Sequence, residues 1–292
     1  MSRQVKNIIN ISVFLICIAL INFAGQNIEL EIRGINAFTF ILIVAVLVQV
    51  IFFIPSFLFK TEKYYDLVGS LTYITTISFA YFAVENKTTI DSIIYFYVMI
   101  WALRLGIYLF RRVQKDGKDV RFEKAKMHFF WFLQYWMGQA LWVSLTACAA
   151  IIAILSPEDD SLPILAMFGM ALWLTGFTIE SISDYQKRAF RKENNPSNSF
   201  IHTGLWARSR HPNYFGEITL WIGIAVIALN TLTGVEYITL ISPVFVYVLL
   251  TRMSGINLLE AIADERYGEL EEYQRYKRNT PVLIPKLSKD KK

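Results

Sequence analysis

The stretch "INAFTFILIVAVLVQVIFFIPSFLF" (residues 35–59) carries no charge and is longer than the roughly 20 apolar residues that take a helix across a bilayer. Such a run is read as a transmembrane helix, because in lipid a helix closes all its backbone hydrogen bonds within itself. Working outward, the same pattern recurs, and the candidate spans are 8–25, 35–59, 65–84, 90–110, 130–155, 162–182, 214–231 and 236–253. The 292 residues are 54 % hydrophobic and 18 % charged, whereas soluble domains carry about 25 % charged residues. Nothing between the runs is long enough to fold alone. The expected fold is all-α: a polytopic transmembrane helix bundle of about seven to eight spans.

Basic residues sit in alternate loops. Arg3 and Lys6 precede the first run, and Lys60 and Lys63 follow the second. Arg111 to Lys126 follow the fourth, Lys187 to Arg210 follow the sixth, and a basic tail ends the chain. The other loops hold Glu29, Glu31 and Arg33, then Glu85, Lys87 and Asp91, then the acidic "SPEDD" (156–160). The positive-inside rule puts both termini and every basic loop in the cytoplasm, in a bacterial inner membrane or an endoplasmic reticulum. The net charge of +5 is then topology plus attraction to anionic lipid, and it calls for no nucleic acid. The first run follows Arg3 and Lys6 as a signal peptide does. It is long for one and lacks a small-x-small cleavage site, so it is read as the first span. Cys17 and Cys148 lie in apolar runs and act as small hydrophobes. His128, His202 and His211 are too scattered for a metal site, and no glycine-rich nucleotide motif is present.

Polar residues at the edges of the apolar runs carry the functional signal. In "FTIESISDYQKRAFRKENN" (177–195), Glu180, Asp184, Arg188 and Arg191 fall within about 80° on a helix of 100° per residue. The stripe starts acidic inside a span and turns basic as it leaves; carboxylates at that depth are expensive and usually functional. In "LWARSRHPNYFGEITLW" (205–221), Pro212 suits a first helical turn, whose positive end beside Arg208, Arg210 and His211 attracts phosphate. An interface anchor explains Arg208, Tyr214 and Trp221. It does not explain Glu217, one turn past Asn213 in an apolar helix, where amide and carboxylate could hold a ribose, a carboxamide or a base. In "WALRLGIYLFRR" (101–112), Arg104 lies too deep for an anchor and needs an acid, for which Asp66 in "YYDLVGSLTY" (64–73) is a candidate. "GKDVRF" (117–122) adds basic groups, and Glu260, Asp264 and Tyr267 share one helical face near a Pro-bounded apolar tail.

Taken in order, "ESISDYQKRAFR", "GLWARSRHPNYFGEITLWIG" and the C-terminal "VLIP" segment resemble the C-terminal domain of steroid 5α-reductases. With "YYDLVGSLTY", "WALRLGIYLFRR" and "GKDVRF" the whole chain is similar to an uncharacterised branch of that superfamily. The resemblance implies a substrate-side N-terminal half, 1–128, and a reductase-like domain, 129–292, with a cytoplasm-facing cofactor site. It implies NADPH bound by Asp184, Arg188, Arg191, Asn213, Glu217 and Tyr267, with Glu180, Arg208, Arg210, His211 and Tyr214 beside them. It also implies an acid and a tyrosine that polarise an enone carbonyl. Here Asp66 is the acid, Trp101 stands at the tyrosine's place, and Tyr97, Tyr108 or Tyr73 could supply the phenol; Asp66, Tyr97, Trp101 and Arg104 are the catalytic candidates. The implied activity is NADPH-dependent reduction of an activated C=C bond in a hydrophobic small molecule drawn from the bilayer. Arg-His-Pro-x-Tyr is shared with isoprenylcysteine carboxyl methyltransferases, which makes S-adenosylmethionine the alternative cofactor. A non-catalytic lipid-binding protein is a third reading.

Overall fold

A computed structural model describes residues 1–116, 122–156, 160–193, 199–253 and 255–286. Among them the helices are α1 (Arg3–Ile21), α2 (Ala37–Leu58), α3 (Tyr65–Ala83), α4 (Thr89–Asp116), α5 (Phe129–Leu155), α6 (Ile164–Glu193), α7 (Pro212–Ala228), α8 (Ile241–Val248), α9 (Ile256–Tyr267) and α10 (Glu271–Asn279). The fold is an all-α polytopic helix bundle. Of "GKDVRF", residues 117–121 lie outside the described residues, as do 157–159 of "SPEDD". The one sheet among the described residues is a two-stranded hairpin, β1 (Glu31–Ile32) and β2 (Ile35–Asn36). Arg33 and Gly34 turn it with φ of 55° and 77°, the pair of positive values that a two-residue hairpin loop prefers.

Six segments among the described residues are long and apolar enough to cross a membrane: Arg3–Gly25, Ala37–Leu58, Thr89–Gln114, Phe129–Leu155, Ile164–Glu193 and Gly234–Tyr267. The other two expected spans are present as helices, α3 and α7. At 17 residues α7 is only about 25 Å long. The 19 residues of α3 include Asp66, Ser70, Thr72, Thr75, Thr76 and Ser78, which dilute its apolar character.

The chain folds into two compact units. The first holds Met1–Ala166 with Ala225–Ser242. Its axis is α5, where 83 % of the apolar stretch is buried, against 22 % for the α1 segment, 39 % for α2 and 28 % for α4. Ala147, Cys148, Ala149 and Ala150 are fully buried, and such small residues let neighbouring helices approach closely. A 3-10 turn, Gly234–Leu240, packs on this part of α5 with Thr239 accepting from Cys148 Sγ at 3.3 Å. Below it, Phe53, Tyr65, Phe122, Phe132 and Trp136 form an aromatic cluster. A polar seam joins α2 to α3, where Gln49 Nε2 donates to Thr72 Oγ1 at 2.8 Å. The second unit holds Met167–Ile224 and Pro243–Lys292.

Candidate functional site

In the second unit α6 and α7 meet along glycines spaced seven apart on each helix, Gly169 and Gly176 against Gly216 and Gly223. A Cβ on Gly176 would sit 2.5 Å from Leu220 N and 2.6 Å from Gly216 O. One on Gly216 would sit 2.6 Å from Glu180 N, and one on Gly223 would sit 2.6 Å from Trp173 N. No side chain fits at such distances, so the two helices touch backbone to backbone, as small residues permit in membranes. This contact brings Glu180 beside Gly216 and its neighbour Glu217. Glu180, Asp184 and Glu217 are all buried, at 2 %, 6 % and 7 % exposure. Arg188 and Arg191 are exposed at the outer end of α6, while Arg208, Asn213 and Tyr214 are half-buried around the start of α7.

The loop before α7 is held from two sides. Trp206 Nε1 donates to Ser183 O at 3.1 Å, and Leu205 N donates to Gln186 Oε1 at 3.0 Å, which fixes the loop to α6. Lys187 lies over the Trp206 ring at 4.8 Å. From the other side, Tyr276 OH of α10 donates to Trp206 O at 2.7 Å. The tail then runs alongside: Arg210 N donates to Pro281 O at 2.9 Å, Lys286 N to Arg208 O at 3.0 Å, and Ser209 Oγ to Leu283 O at 2.7 Å. Phe200 sits among Tyr267, Tyr273 and Tyr276, with ring centroids 5.8, 5.1 and 5.4 Å away. Burial, and then the neighbouring carboxylates, push the Tyr273 phenol up; burial does the same at Tyr276. Both rings are uncharged structural posts.

Arg210 and His211 converge on one carboxylate of α9. Arg210 Nη1 donates to Glu260 Oε2, and His211 Nε2 donates to Glu260 Oε1 at 2.8 Å. The buried Arg210 Nε has no hydrogen-bond partner among the described residues. Burial lowers the His211 pKa and Lys187 and Arg210 add to this, against the pull of the Glu260 hydrogen bond. The imidazole therefore stays neutral and stacks on Tyr214 at 5.7 Å and 16°.

The catalytic candidates lie in the first unit. A cavity of about 30 Å³ opens among α3, α4 and α5, and Asp66, Tyr73 and Trp101 line it. Asp66 accepts from Arg112 Nη2 at 3.2 Å, so this acid has an arginine partner that its sequence neighbourhood did not single out. Tyr73 and Trp101 are buried and meet edge to face at 5.0 Å and 89°. Tyr97 and Arg104 are half-buried on α4 and do not line the cavity. Two residues absent from the sequence reading do line it, Gln139 and Trp142 of α5. The amides inside the mostly apolar run 129–155, Gln134 and Gln139, were the available signal. The equal spacing of the glycine pairs in 162–182 and 214–231 was the signal for the α6–α7 seam.

Comparison with known proteins completes the description of the site. The family described as "Protein of unknown function (DUF1295)" matches residues 52–280. The chain is 31 % identical over 119 residues to 3-oxo-5-alpha-steroid 4-dehydrogenase 1 of Mus musculus, covering 41 % of each protein. It is 31 % identical over 117 residues to the protein of that name from Rattus norvegicus, covering 40 % of each. The chain thus spans about two-fifths of the length of these curated relatives. No solved structure matches it significantly.

Proposed function

The chain belongs to the DUF1295 family of proteins of unknown function, and from that membership and the residues described above we propose that it is a membrane reductase. In this reading it uses NADPH to saturate an activated C=C bond in a membrane lipid. The observation that carries the proposal is the 31 % identity to proteins named 3-oxo-5-alpha-steroid 4-dehydrogenase. Dehydrogenation beside a keto group, run in reverse, is reduction of an enone.

The residues of the second unit suit such a nucleotide. Arg188 and Arg191 are exposed cations at the end of α6, and Arg208 is a half-buried one. With the Arg210 Nε they are donors for phosphate oxygens. Asp184, Glu180 and Glu217 are buried acceptors for ribose hydroxyls or a carboxamide, and Asn213 one turn before Glu217 adds both a donor and an acceptor. Tyr267 and the stacked His211–Tyr214 pair supply aromatic faces. Glu260 neutralises Arg210, so Arg188, Arg191 and Arg208 carry most of the phosphate recognition. When bound, NADPH supplies a hydride to the β-carbon of the enone. In the first unit Asp66, fixed by Arg112, orients the polar end of the substrate cavity. Of the candidates on α4, Trp101 lines this cavity and is the donor proposed to stabilise the developing enolate oxygen, the electrostatic role such groups play in low dielectric, a role not extended to Tyr97 and Arg104, which do not line it. The basic loops are proposed to face the cytoplasm, where NADPH is available.

Purified protein in detergent is expected to bind NADPH saturably, with Arg191→Ala weakening binding roughly tenfold or more through the loss of a charge-assisted contact. S-adenosylhomocysteine is expected not to compete. A folded sample that binds no NADPH would sink the reading.

A further inference from the structure

On the α5 wall of the cavity among α3, α4 and α5, two buried polar atoms have no hydrogen-bond partner among the described residues. Gln139 is 4 % exposed, and its Oε1 has no hydrogen-bond partner. Trp142 stands one turn further along α5, and its buried Nε1 has none either. Other orphaned polar atoms occur on α5, at Gln134, Trp136, Ser144 and Thr146, but only Gln139 and Trp142 line the cavity. An unsatisfied buried donor or acceptor is costly, and most such groups in folded proteins have partners. Two of them at one small opening point to a ligand group.

The backbone leaves room for this arrangement. A Cβ on Gly69 would lie 2.5 Å from Gln139 Nε2, so the carboxamide occupies the space that any other residue would fill on α3. Gly69 thus allows Gln139 to lie against α3 at the cavity wall. Most of the rest of the lining is apolar, including Trp101, Leu105 and Val143.

The chemistry of the two atoms selects among ligand groups. Oε1 needs a donor, and the indole N–H needs an acceptor. A ketone or ether oxygen can accept from Trp142 and leaves Gln139 Oε1 without a partner. A hydroxyl does both, donating to Gln139 and accepting from Trp142. A volume of about 30 Å³ holds about two water-sized groups, enough for a terminal hydroxyl and its carbon but not for a lipid body. We propose that this cavity receives the hydroxyl end of an apolar molecule from the bilayer, with Gln139 as its acceptor and Trp142 as its donor. The hydroxyl is a recognition group and is not consumed. The assignment rests on the reductase reading only in calling that molecule a substrate.

The test is equilibrium binding of a long-chain alkanol, its methyl ether and the alkanone of equal length to the full chain in detergent micelles, with no nucleotide present. Wild-type protein is expected to bind the alkanol roughly tenfold or more tightly than either analogue, as the loss of a hydrogen bond from a buried group requires. Gln139→Met keeps the side-chain length, and Trp142→Phe removes only the donor end. Gln139→Met is expected to bring the three affinities together by weakening the alkanol alone, and Trp142→Phe to weaken all three. Equal affinity of wild type for alkanol and ether overturns the proposal and describes a cavity that holds water only. So does a preference that survives in Gln139→Met. The wild-type comparison decides even where a variant fails to fold. Alkanol preference without NADPH binding defeats the reductase reading alone; NADPH binding without alkanol preference defeats this one alone.

Discussion

Glu260 is the residue on which the loop before α7 turns. One carboxylate takes the Arg210 guanidinium on one oxygen and the His211 imidazole on the other. Their side chains are 11 %, 7 % and 19 % exposed for Arg210, His211 and Glu260, so removing the acid leaves a nearly buried cation unpaired. Glu260→Ala is expected to destabilise the protein by about 2–4 kcal/mol, read from unfolding in mild detergent, somewhat less than the figure for a fully buried pair. Acidity should act at the same place. His211 titrates below its usual value near 6.5, so the unfolded chain takes up that proton first as pH falls. Stability contributed by the neutral ring is therefore present above about pH 6.5 and lost as pH drops below it, and His211→Asn should flatten that part of the stability–pH curve. The cluster was only half legible in the sequence. Its basic members stand together in "RSRHP", and Glu260 was visible as one of three residues on a helical face. Their pairing was not, because 50 residues separate Arg210 from Glu260 and no periodicity spans that gap. Asp66 gives the same lesson: Arg104 was the arginine conspicuous by its depth, while Arg112, two turns on in a crowd of basic residues, is a partner the structure shows.

At the scale of elements, the α6–α7 seam and the α5 axis use glycine in opposite ways, and substitution separates them. Gly176→Ala and Gly216→Ala each put a methyl group about 2.5 Å from backbone atoms that cannot rotate away. Both should force the helices apart, at about 1–3 kcal/mol each as overpacking does, and weaken the proposed nucleotide binding by moving Glu180 away from Glu217. On α5, a Cβ at Gly138 first meets the Phe14 ring at 3.4 Å, an ordinary contact. Gly138→Ala should be neutral or stabilise by up to about 1 kcal/mol through helix propensity, with thermal unfolding as the common measurement. The apolar runs made the helices legible, because burial in lipid demands the same composition all round each span. Helix pairing is carried by the few positions with almost no side chain, which hydropathy does not register. Gln139 escaped for a related reason: the amides of Gln134 and Gln139 within an apolar run show that something must satisfy them, and only packing shows where each lies.

For the whole molecule, orientation is the property most open to a direct check. In a chain with Cys17→Ser and Cys148→Ala, single cysteines at Lys63 and Lys192 should react with an impermeant maleimide from one side, and cysteines at Glu29 and Glu85 from the other. Labelling of all four from one side contradicts the alternation of basic and acidic loops. The two-unit organisation also bears on how the protein is made. Helix α5 has almost no face to offer the bilayer, yet it carries several buried polar atoms, at Gln134, Trp136, Gln139, Trp142, Ser144 and Thr146, without partners among the described residues. Left alone in lipid it would be the least comfortable span. The helices α1 to α4, which pack on it in the first unit, all precede it on the chain, and the turn Gly234–Leu240 that covers part of it follows. Since synthesis proceeds from the N-terminus, the ribosome delivers α5 after most of its socket has been built, and the span that could least tolerate waiting in the membrane waits only for the turn that closes over its buried alanines.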